Sequence, residues 1–225
     1  MKLSSSIAIL LLFCSGVSAQ QAAKTDTTKQ KKTSYLPTGI RFGTDVLSLV
    51  RNGYDKTFSG WEMNADADLG RYFAAVDYGY WARTFHGTAE DYSNHGTYFR
   101  IGVDVNFLTK DPEKNMFFIG GRYGRSVFSE RLNVSKTDSL WGPLTRTSTN
   151  SNTNGHWLEL TTGIRVKMWK MIWLGYTARF KFGLGTNESG EMLPSDVPGF
   201  GRTDKETTWG FNYQVFVRIP VRKQK

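Results

Sequence analysis

The sequence predicts an all-β protein, an eight-stranded antiparallel up-and-down transmembrane β-barrel with a polar, charge-paired interior. Three observations lead to this prediction. Apolar and polar side chains alternate with a period of two in eight segments of about ten residues, the length of a tilted strand that crosses a bilayer. Long and short polar connections alternate between these segments. From residue 38 onward, no apolar run reaches the roughly 20 residues that a transmembrane helix needs.

The start of the chain has the features of a secretory signal peptide. A positively charged start, an apolar core over residues 7–13 and small residues up to Ala19 predict a signal peptide over residues 1–19. The single cysteine, Cys14, lies inside this segment, so neither a disulfide nor a cysteine-based metal site is expected. Lipidation of Cys14 is the alternative, but Phe13 stands where a small residue is normally required. Either way, the protein is predicted to be exported.

Residues 20–37 are predicted to form a flexible, basic periplasmic arm, because they carry several lysines and almost no large apolar side chain. Residues 38–225 would then form the barrel. The chain has a formal net charge of +9 at pH 7. This charge does not indicate nucleic-acid binding, since much of it falls in the arm or on the polar face of the strands rather than among exposed aromatic residues.

The strands are recognised by strict alternation, which segment 61–69 (WEMNADADL) illustrates. Trp61 and Met63 fall on one face, whereas Glu62 and Asp66 fall on the other. The eight predicted strands cover about residues 40–50, 61–69, 72–83, 98–107, 117–124, 158–168, 172–183 and 209–219.

The connections indicate which end of the barrel faces which compartment. The odd-numbered ones are mostly long and rich in Gly, Ser, Thr, Asn and Asp, and cover about residues 51–59, 84–96, 129–156 and 184–207. The even-numbered ones, near residue 70, at 109–115 and near residue 169, are short. Short periplasmic turns and longer extracellular loops are typical of outer-membrane barrels. We therefore expect a cell outer membrane location with both termini in the periplasm.

Side-chain bulk predicts which face of the strands points outward. A soluble eight-stranded barrel would place its apolar face inside, but this apolar face carries too many aromatic residues for so narrow an interior. The polar face carries glycines, which we expect to leave room in the lumen for long arginine and glutamate side chains. These glycines are Gly43, Gly79, Gly102, Gly120, Gly124, Gly163, Gly175 and Gly210.

The polar face predicts a charge network in the lumen. The first half of the barrel wall is largely acidic and the second half largely basic, so closing the sheet would bring opposite charges face to face. The predicted network comprises Asp45, Glu62, Asp66, Asp68, Asp77, Arg83, Arg100, Asp104, Arg122, Glu159, Arg165, Lys167, Arg179, Lys181 and Arg218. Its simplest role is a structural plug, and a gated conduit or proton path is the alternative.

Chemistry is predicted to be absent, with no catalytic residue, metal site or cofactor. His86, His95 and His156 fall in or beside the long connections. The first two flank Glu90 and Asp91, but their spacing matches no known ligand pattern. A lipid-modifying enzyme that uses these histidines in a hydrolase triad is the alternative, without a local signature to support it.

Two stretches carry a family resemblance. YLPTGIRFGTDVLSLVRNGYDKTFSGWEMNADADLGRYFAAVDYG at 35–79 and FNYQVFVRIPV at 211–221 resemble a family of small Bacteroidota outer-membrane barrels long described as a domain of unknown function. The resemblance implies an integral barrel without known enzymatic residues. It also implies an accessory subunit of the barrel-assembly machinery with a lipoprotein partner. The sequence departs from the usual outer-membrane ending, because VRKQK follows the last strand where a terminal aromatic residue is common.

The predicted function is therefore structural or interactive, with outer-membrane lipids and other outer-membrane proteins as partners. The long loops would supply the binding surface, because they carry apolar residues that a partner could cover. These residues are Leu132, Leu140, Trp141, Leu144, Met192, Leu193, Val197 and Phe200.

Overall fold

A computed structural model describes residues 37–138, 142–186 and 191–221. The predicted signal peptide, nearly all of the predicted basic arm, and Leu140 and Trp141 lie outside the described residues.

Eight antiparallel strands close into a barrel, which confirms the predicted fold class. The elements are β1 (Gly39–Asp45), α1 (Val46–Tyr54), β2 (Phe58–Leu69), β3 (Tyr72–His86), β4 (Glu90–Asn106), β5 (Met116–Asp138), β6 (Gly142–Trp169), β7 (Ile172–Thr186), β8 (Asp196–Val197), β9 (Gly201–Arg202) and β10 (Thr207–Pro220). Neighbours in the barrel follow the order β1-β10-β7-β6-β5-β4-β3-β2, so β1 closes the ring against β10. The short strands β8 and β9 pair with each other outside the barrel sheet.

The first strand is shorter than predicted. Alternation extended it to residue 50, but β1 ends at Asp45 and α1 follows. Asp45 caps the helix, since its Oδ2 accepts from the backbone N–H of Ser48 at 3.3 Å and from its hydroxyl at 2.6 Å. Val46, Leu49 and Val50 also fit the i, i+3, i+4 spacing of a helix. The few apolar residues of this segment therefore satisfied both periods, and the strand prediction was wrong there.

Two predicted loops are strands. In place of the predicted loop at 84–96, β3 and β4 pair almost to the tip of their hairpin. In place of most of the predicted loop at 129–156, β5 and β6 pair along their length with one register shift. These stretches are rich in Thr, Ser and Asn on both faces, so they lack the apolar alternation by which the other strands were recognised. The long connections are therefore mainly tall hairpins, which stand at the barrel end opposite the chain termini.

The barrel has an apolar exterior and a polar interior, as predicted from side-chain bulk. Inward-facing charged side chains are almost fully buried. The exposed apolar residues of the wall include Phe42, Met63, Val76, Tyr78, Ile101, Val103, Ile119, Leu160, Ile164, Leu174, Phe211 and Val217. No helix within the described residues is long and apolar enough to cross a membrane.

Glycines on the inner face lie mainly opposite aromatic rings, which the sequence analysis did not foresee. Gly124 pairs with Trp157 across β5 and β6, and a Cβ at position 124 would overlap the indole. Further pairs of this kind are Gly43 with Phe216, Gly79 with Tyr98, Gly96 with Phe128 and Gly163 with Phe118. At Gly43, Gly79, Gly124 and Gly163 the ring of the cross-strand aromatic residue takes the space that a Cβ would fill, and such pairs of glycine and aromatic residue stabilise sheets.

Candidate functional site

One ion-pair network crosses the barrel interior. Among the described residues it joins five arginines and five carboxylates, each at most 3% exposed. They are Arg41, Arg100, Arg122, Arg165 and Arg179 with Glu62, Asp66, Asp77, Asp104 and Glu159. Because the numbers of positive and negative groups are equal, the network as a whole is neutral.

The network connects opposite walls of the barrel. Arg165 on β6 bonds to Asp66 on β2, and these strands lie four positions apart in the ring of eight. Arg179 on β7 likewise reaches Asp77 on β3, with 3.2 Å between Nη2 and Oδ2. Basic side chains of the second half therefore meet acidic side chains of the first half in the middle of the lumen.

Charge partners within one half complete the network. Arg41, which the sequence also predicts to aid the pairing from the acidic half, bonds through Nε to Asp66 Oδ1 at 2.7 Å between the neighbouring strands β1 and β2. Arg100 bonds to Glu62 at 2.8 Å, also within the first half, and its Nε lies 2.9 Å from Glu159 Oε1 in the second half. Burial of an ion costs several kcal/mol unless it is paired, so these contacts keep the charged interior stable.

Aromatic rings line the network and hold the guanidinium groups. Arg165 lies over Phe118 at 5.0 Å and over Phe216 at 4.7 Å, and Arg100 lies over Tyr98 at 4.6 Å. Such cation–π contacts stabilise a desolvated guanidinium. Sequence reasoning missed this aromatic layer. Its signal was an aromatic residue on the polar face, directly opposite a glycine.

The remaining predicted network residues lie elsewhere. Asp68 and Arg218 form a separate pair at 3.2 Å near the chain termini, and Asp45 caps α1. Lys167 was wrongly placed in the lumen. Its side chain is 30% exposed and its Nζ lies 3.9 Å from Glu113, because Lys167 keeps the parity of Arg165 but stands close to the end of β6 at Trp169, outside the closed part of the lumen.

The segment between β7 and β10 folds into the mouth of the barrel. Val197 and Phe200 were predicted to be available to a partner, but they are only 2% and 6% exposed. They pack with Tyr98, Phe128 and Trp157 in one apolar cluster. The prediction for these two residues was wrong because the interior aromatic layer extends up to the mouth and covers them.

Charged side chains also fix the segment between β7 and β10 in the mouth of the barrel. Lys181 donates to the carbonyl oxygens of Gly199 at 2.7 Å and Phe200 at 3.2 Å. Arg83 bonds to Asp196 at 2.6 Å. Burial raises the pKa of the Asp196 carboxyl above its usual range, and the neighbouring Arg83 acts in the opposite direction. The segment is therefore held in place by polar as well as apolar contacts.

The other predicted partner residues lie on the outer end of the barrel. Leu144 on β6 is 67% exposed and Leu193 is 73% exposed, whereas Leu132 and Met192 are half-buried. Among the members of the predicted surface that the structure describes, Leu144 and Leu193 are therefore the most open to a partner.

The three histidines lie on different strands and are exposed. His86 is on β3, His95 on β4 and His156 on β6. His86 Nδ1 lies 2.8 Å from Asp91 Oδ1, and both side chains are more than half exposed. No group of three or more possible metal ligands occurs within residues 37–138, 142–186 and 191–221.

Comparison with protein families matches residues 1–224 to the family described as Domain of unknown function (DUF6048). The chain belongs to this family. No curated protein matches the sequence of this DUF6048 member.

Among solved structures, the DUF6048 chain is similar to the N-terminal β-barrel domain of Pseudomonas aeruginosa OprF. The identity is 10%, the match covers 81% of this chain and 98% of that chain, and the TM-score is 0.34. It is also similar to Neisserial surface protein A, NspA, at 13% identity, with 81% and 94% of the chains covered and a TM-score of 0.35.

Proposed function

We propose that the protein is an integral outer-membrane β-barrel with a structural and interactive role, an accessory subunit of an outer-membrane protein assembly complex. The observation that carries this proposal is the inverted distribution of side chains, with paired charges inside and apolar side chains outside.

The exterior suits a lipid environment. Side chains such as Val76, Ile101 and Leu160 are about half exposed on the wall, an arrangement that is unfavourable in water and favourable among acyl chains. In the closed ring each strand is also hydrogen-bonded to its neighbours, which is necessary in hydrocarbon because no water is there to bond with free backbone groups. Because the chain starts with a signal-peptide pattern, the outer membrane is the bilayer that fits this architecture.

The interior suits a plug rather than a conduit. Arg165, Arg179 and their carboxylate partners meet from opposite walls, so the path through the lumen is crossed by ion pairs. Opening a pore would separate buried partners at a cost of several kcal/mol each. The neutral network therefore supports a scaffold whose task lies at its surface.

The β5–β6 hairpin supports the interactive role. β6 pairs with β7 only from Gly155 onward, so within the described part of the chain Gly142–Asn154 has a strand neighbour on one side alone. On the free side, the backbone N–H of Thr149 is met by the Glu191 side chain at 3.2 Å. A free strand edge beside exposed leucines is a surface to which another protein adds a strand. A larger outer-membrane barrel or a surface lipoprotein has the chemistry to occupy it.

The test compares partner recovery between surface variants. Leu144→Ser combined with Leu193→Ser should reduce the amount of each copurifying outer-membrane protein after affinity purification in mild detergent, measured by mass spectrometry. Thr147→Pro should also reduce partner recovery. The N–H of residue 147 points to the same side of β6 as that of Thr149, so proline removes a hydrogen-bond donor from the free edge.

The matched control is Leu108→Ser, which removes a 45% exposed leucine at the opposite end of the barrel. It should leave recovery unchanged. All variants should keep heat-modifiable mobility on a gel, so that loss of a partner is not loss of the barrel. Equal recovery from the hairpin variants, the control and the unmodified protein would refute binding at the hairpin.

A further inference from the structure

The barrel wall is interrupted beside β1. β1 pairs with β10 only as far as Gln214 and with β2 only as far as Met63. Beyond this point the outer parts of β2 and β10 continue with a strand partner on one side only, β3 and β7 respectively. The early end of β1 at Asp45 therefore leaves a notch in the wall, toward the end opposite the chain termini.

Helix α1 fills part of this notch. The Asn52 carboxamide donates to the carbonyl of Gly60 and accepts from its N–H, both at 2.8 Å, and so replaces a strand neighbour for β2. On the other side, Asp45 accepts from the backbone N–H of Tyr213 at 3.1 Å. β10 residues Trp209 and Phe211, which lie beyond this contact, have no strand on that side within the described residues.

A cavity of about 730 Å³ lies at the notch, and residues of β1, α1, β2 and β10 line it. Its lining includes the inward-facing Lys181 and Asn212, and also Trp209 and Phe211, which face outward and are 67% and 55% exposed. Side chains on opposite faces of a strand border the same space only where the wall is open. The cavity therefore forms a lateral window between the mouth of the lumen and the outer surface.

The charge of the window is positive. Lys181 is 6% exposed and its amine contacts carbonyl oxygens rather than a carboxylate. Arg51 and Lys205 also line the cavity, and Lys205 has no ion pair with any described residue. The two lining carboxylates are already engaged, because Asp45 caps α1 and Glu62 bonds to Arg100. Arg51 is paired with Asp55 at 2.9 Å and would share its charge with an anion. Among the described residues, Lys181 and Lys205 have no ion pair with a carboxylate, so they would meet an anion directly.

The outer border of the window is apolar. No residue of α1 is buried, and Leu47, Val50 and Tyr54 are 41%, 56% and 73% exposed at helical spacing. A short helix with such a face lies in a membrane interface. Together with Trp209 and Phe211, it would contact acyl chains at the depth of the lipid headgroups.

We propose that this window binds one phosphate-bearing lipid from the surrounding leaflet. The phosphate lies among Arg51, Lys181 and Lys205, and an acyl chain lies along Trp209 and Phe211. Cations from different elements line this one cavity, which suits a phosphate because it accepts charge-assisted hydrogen bonds from more than one direction. This inference rests on the proposed membrane location and adds a specific ligand to it.

The test is native mass spectrometry of the folded protein in neutral-detergent micelles. The protein is titrated with dioleoyl phosphatidic acid and, separately, with dioleoylglycerol, which has the same acyl chains without the phosphate. One phosphatidic acid should bind, and the neutral lipid should bind at least about tenfold more weakly. Arg51→Gln combined with Lys205→Gln should weaken phosphatidic acid binding about tenfold, and Trp209→Ala should also weaken it.

The matched control is Lys110→Gln combined with Lys170→Gln, which removes two exposed lysines at the opposite end of the barrel. Equal weakening by this control, or equal binding of the neutral lipid, would overturn the proposal in favour of unspecific lipid adsorption. Displacement of the lipid by millimolar inorganic phosphate, with no effect of Trp209→Ala, would overturn it in favour of a free anion site.

A partner strand is the other possible occupant. Trp209 has the same parity as Tyr213, so Trp209→Pro removes an N–H from the free edge of β10. Loss of a copurifying protein in this variant, without lipid binding by the unmodified protein, would overturn the lipid proposal. Insertion into vesicles and heat-modifiable mobility are measured on the same samples. Failure of lipid binding with intact insertion thus refutes this inference and leaves the proposed membrane barrel standing.

Discussion

Replacement of Arg179 by glutamine tests the interior network directly. Arg179 is 1% exposed and lies 2.9 Å from Glu159, 3.2 Å from Asp77 and 3.5 Å from Glu62. Arg179→Gln therefore leaves the buried network with one excess negative charge. Removing one partner of a buried pair typically costs about 3–5 kcal/mol. We expect about 3 kcal/mol, the lower end of this range, because each carboxylate still has another arginine partner. Glu62 and Glu159 remain paired with Arg100, and Asp77 remains paired with Arg122.

The measurement is urea-induced unfolding of protein folded into lipid vesicles, followed by tryptophan fluorescence and by the heat-modifiable band on a gel. The matched control is Arg125→Gln, which changes an exposed arginine on β5 whose side chain is hydrogen-bonded only to the half-buried Asn154 among the described residues. It should change the free energy of unfolding by no more than about 0.5 kcal/mol.

A second substitution separates charge balance from packing. Arg179→Gln combined with Glu159→Gln leaves four cations and four carboxylates of the network, so it is neutral again. The combined cost should fall short of the sum of the two single costs by at least about 1 kcal/mol. A cost below about 1 kcal/mol for Arg179→Gln, or strict additivity of the two changes, would refute a dry and mutually paired interior.

Three further predictions follow from the wall and the lumen. Gly124→Val should destabilise by about 1–3 kcal/mol, since a side chain there overlaps the Trp157 indole, whereas the outward-facing Gly121→Val should be nearly neutral in the same unfolding assay. In planar bilayers the purified protein should show no stable, large conductance, and a persistent open level would argue against the ion-pair plug. Boiling should shift the mobility of the protein on a detergent gel, and identical mobility before and after heating would count against a closed barrel.

Much of the architecture could be read from local pattern. Alternation placed Glu62 and Asp66 on one face of β2 and Trp61 and Met63 on the other, and the structure keeps that division. The bulk of the apolar face determined which side points outward, because an eight-stranded barrel has little internal volume. Nine of the fifteen predicted lumen charges lie in the central network described above.

Local pattern was insufficient in two kinds of segment: one whose apolar residues fit both the helix period and the strand period, and one whose residues fit neither. Residues 46–50 suited a helix as well as a strand, and the choice depended on the Asp45 cap and on the fit of α1 beside β2. Residues 129–156 have no apolar alternation, so their sequence did not indicate strands. Their strand structure is visible only in the backbone pairing of β5 with β6. Polar strands that extend beyond the apolar band of the barrel wall need backbone partners but no apolar face, and a sequence pattern does not reveal such partners.

The sequence by itself determined the strand number, the direction of each face and the excess of opposite charges on the two halves of the wall, because these follow from residue type and spacing along one chain. Only the tertiary structure decided which charges meet, why Phe200 lies inside the mouth, and where β1 leaves the wall open. Those features depend on distances between strands that lie on opposite sides of a closed ring, and no local period encodes such distances.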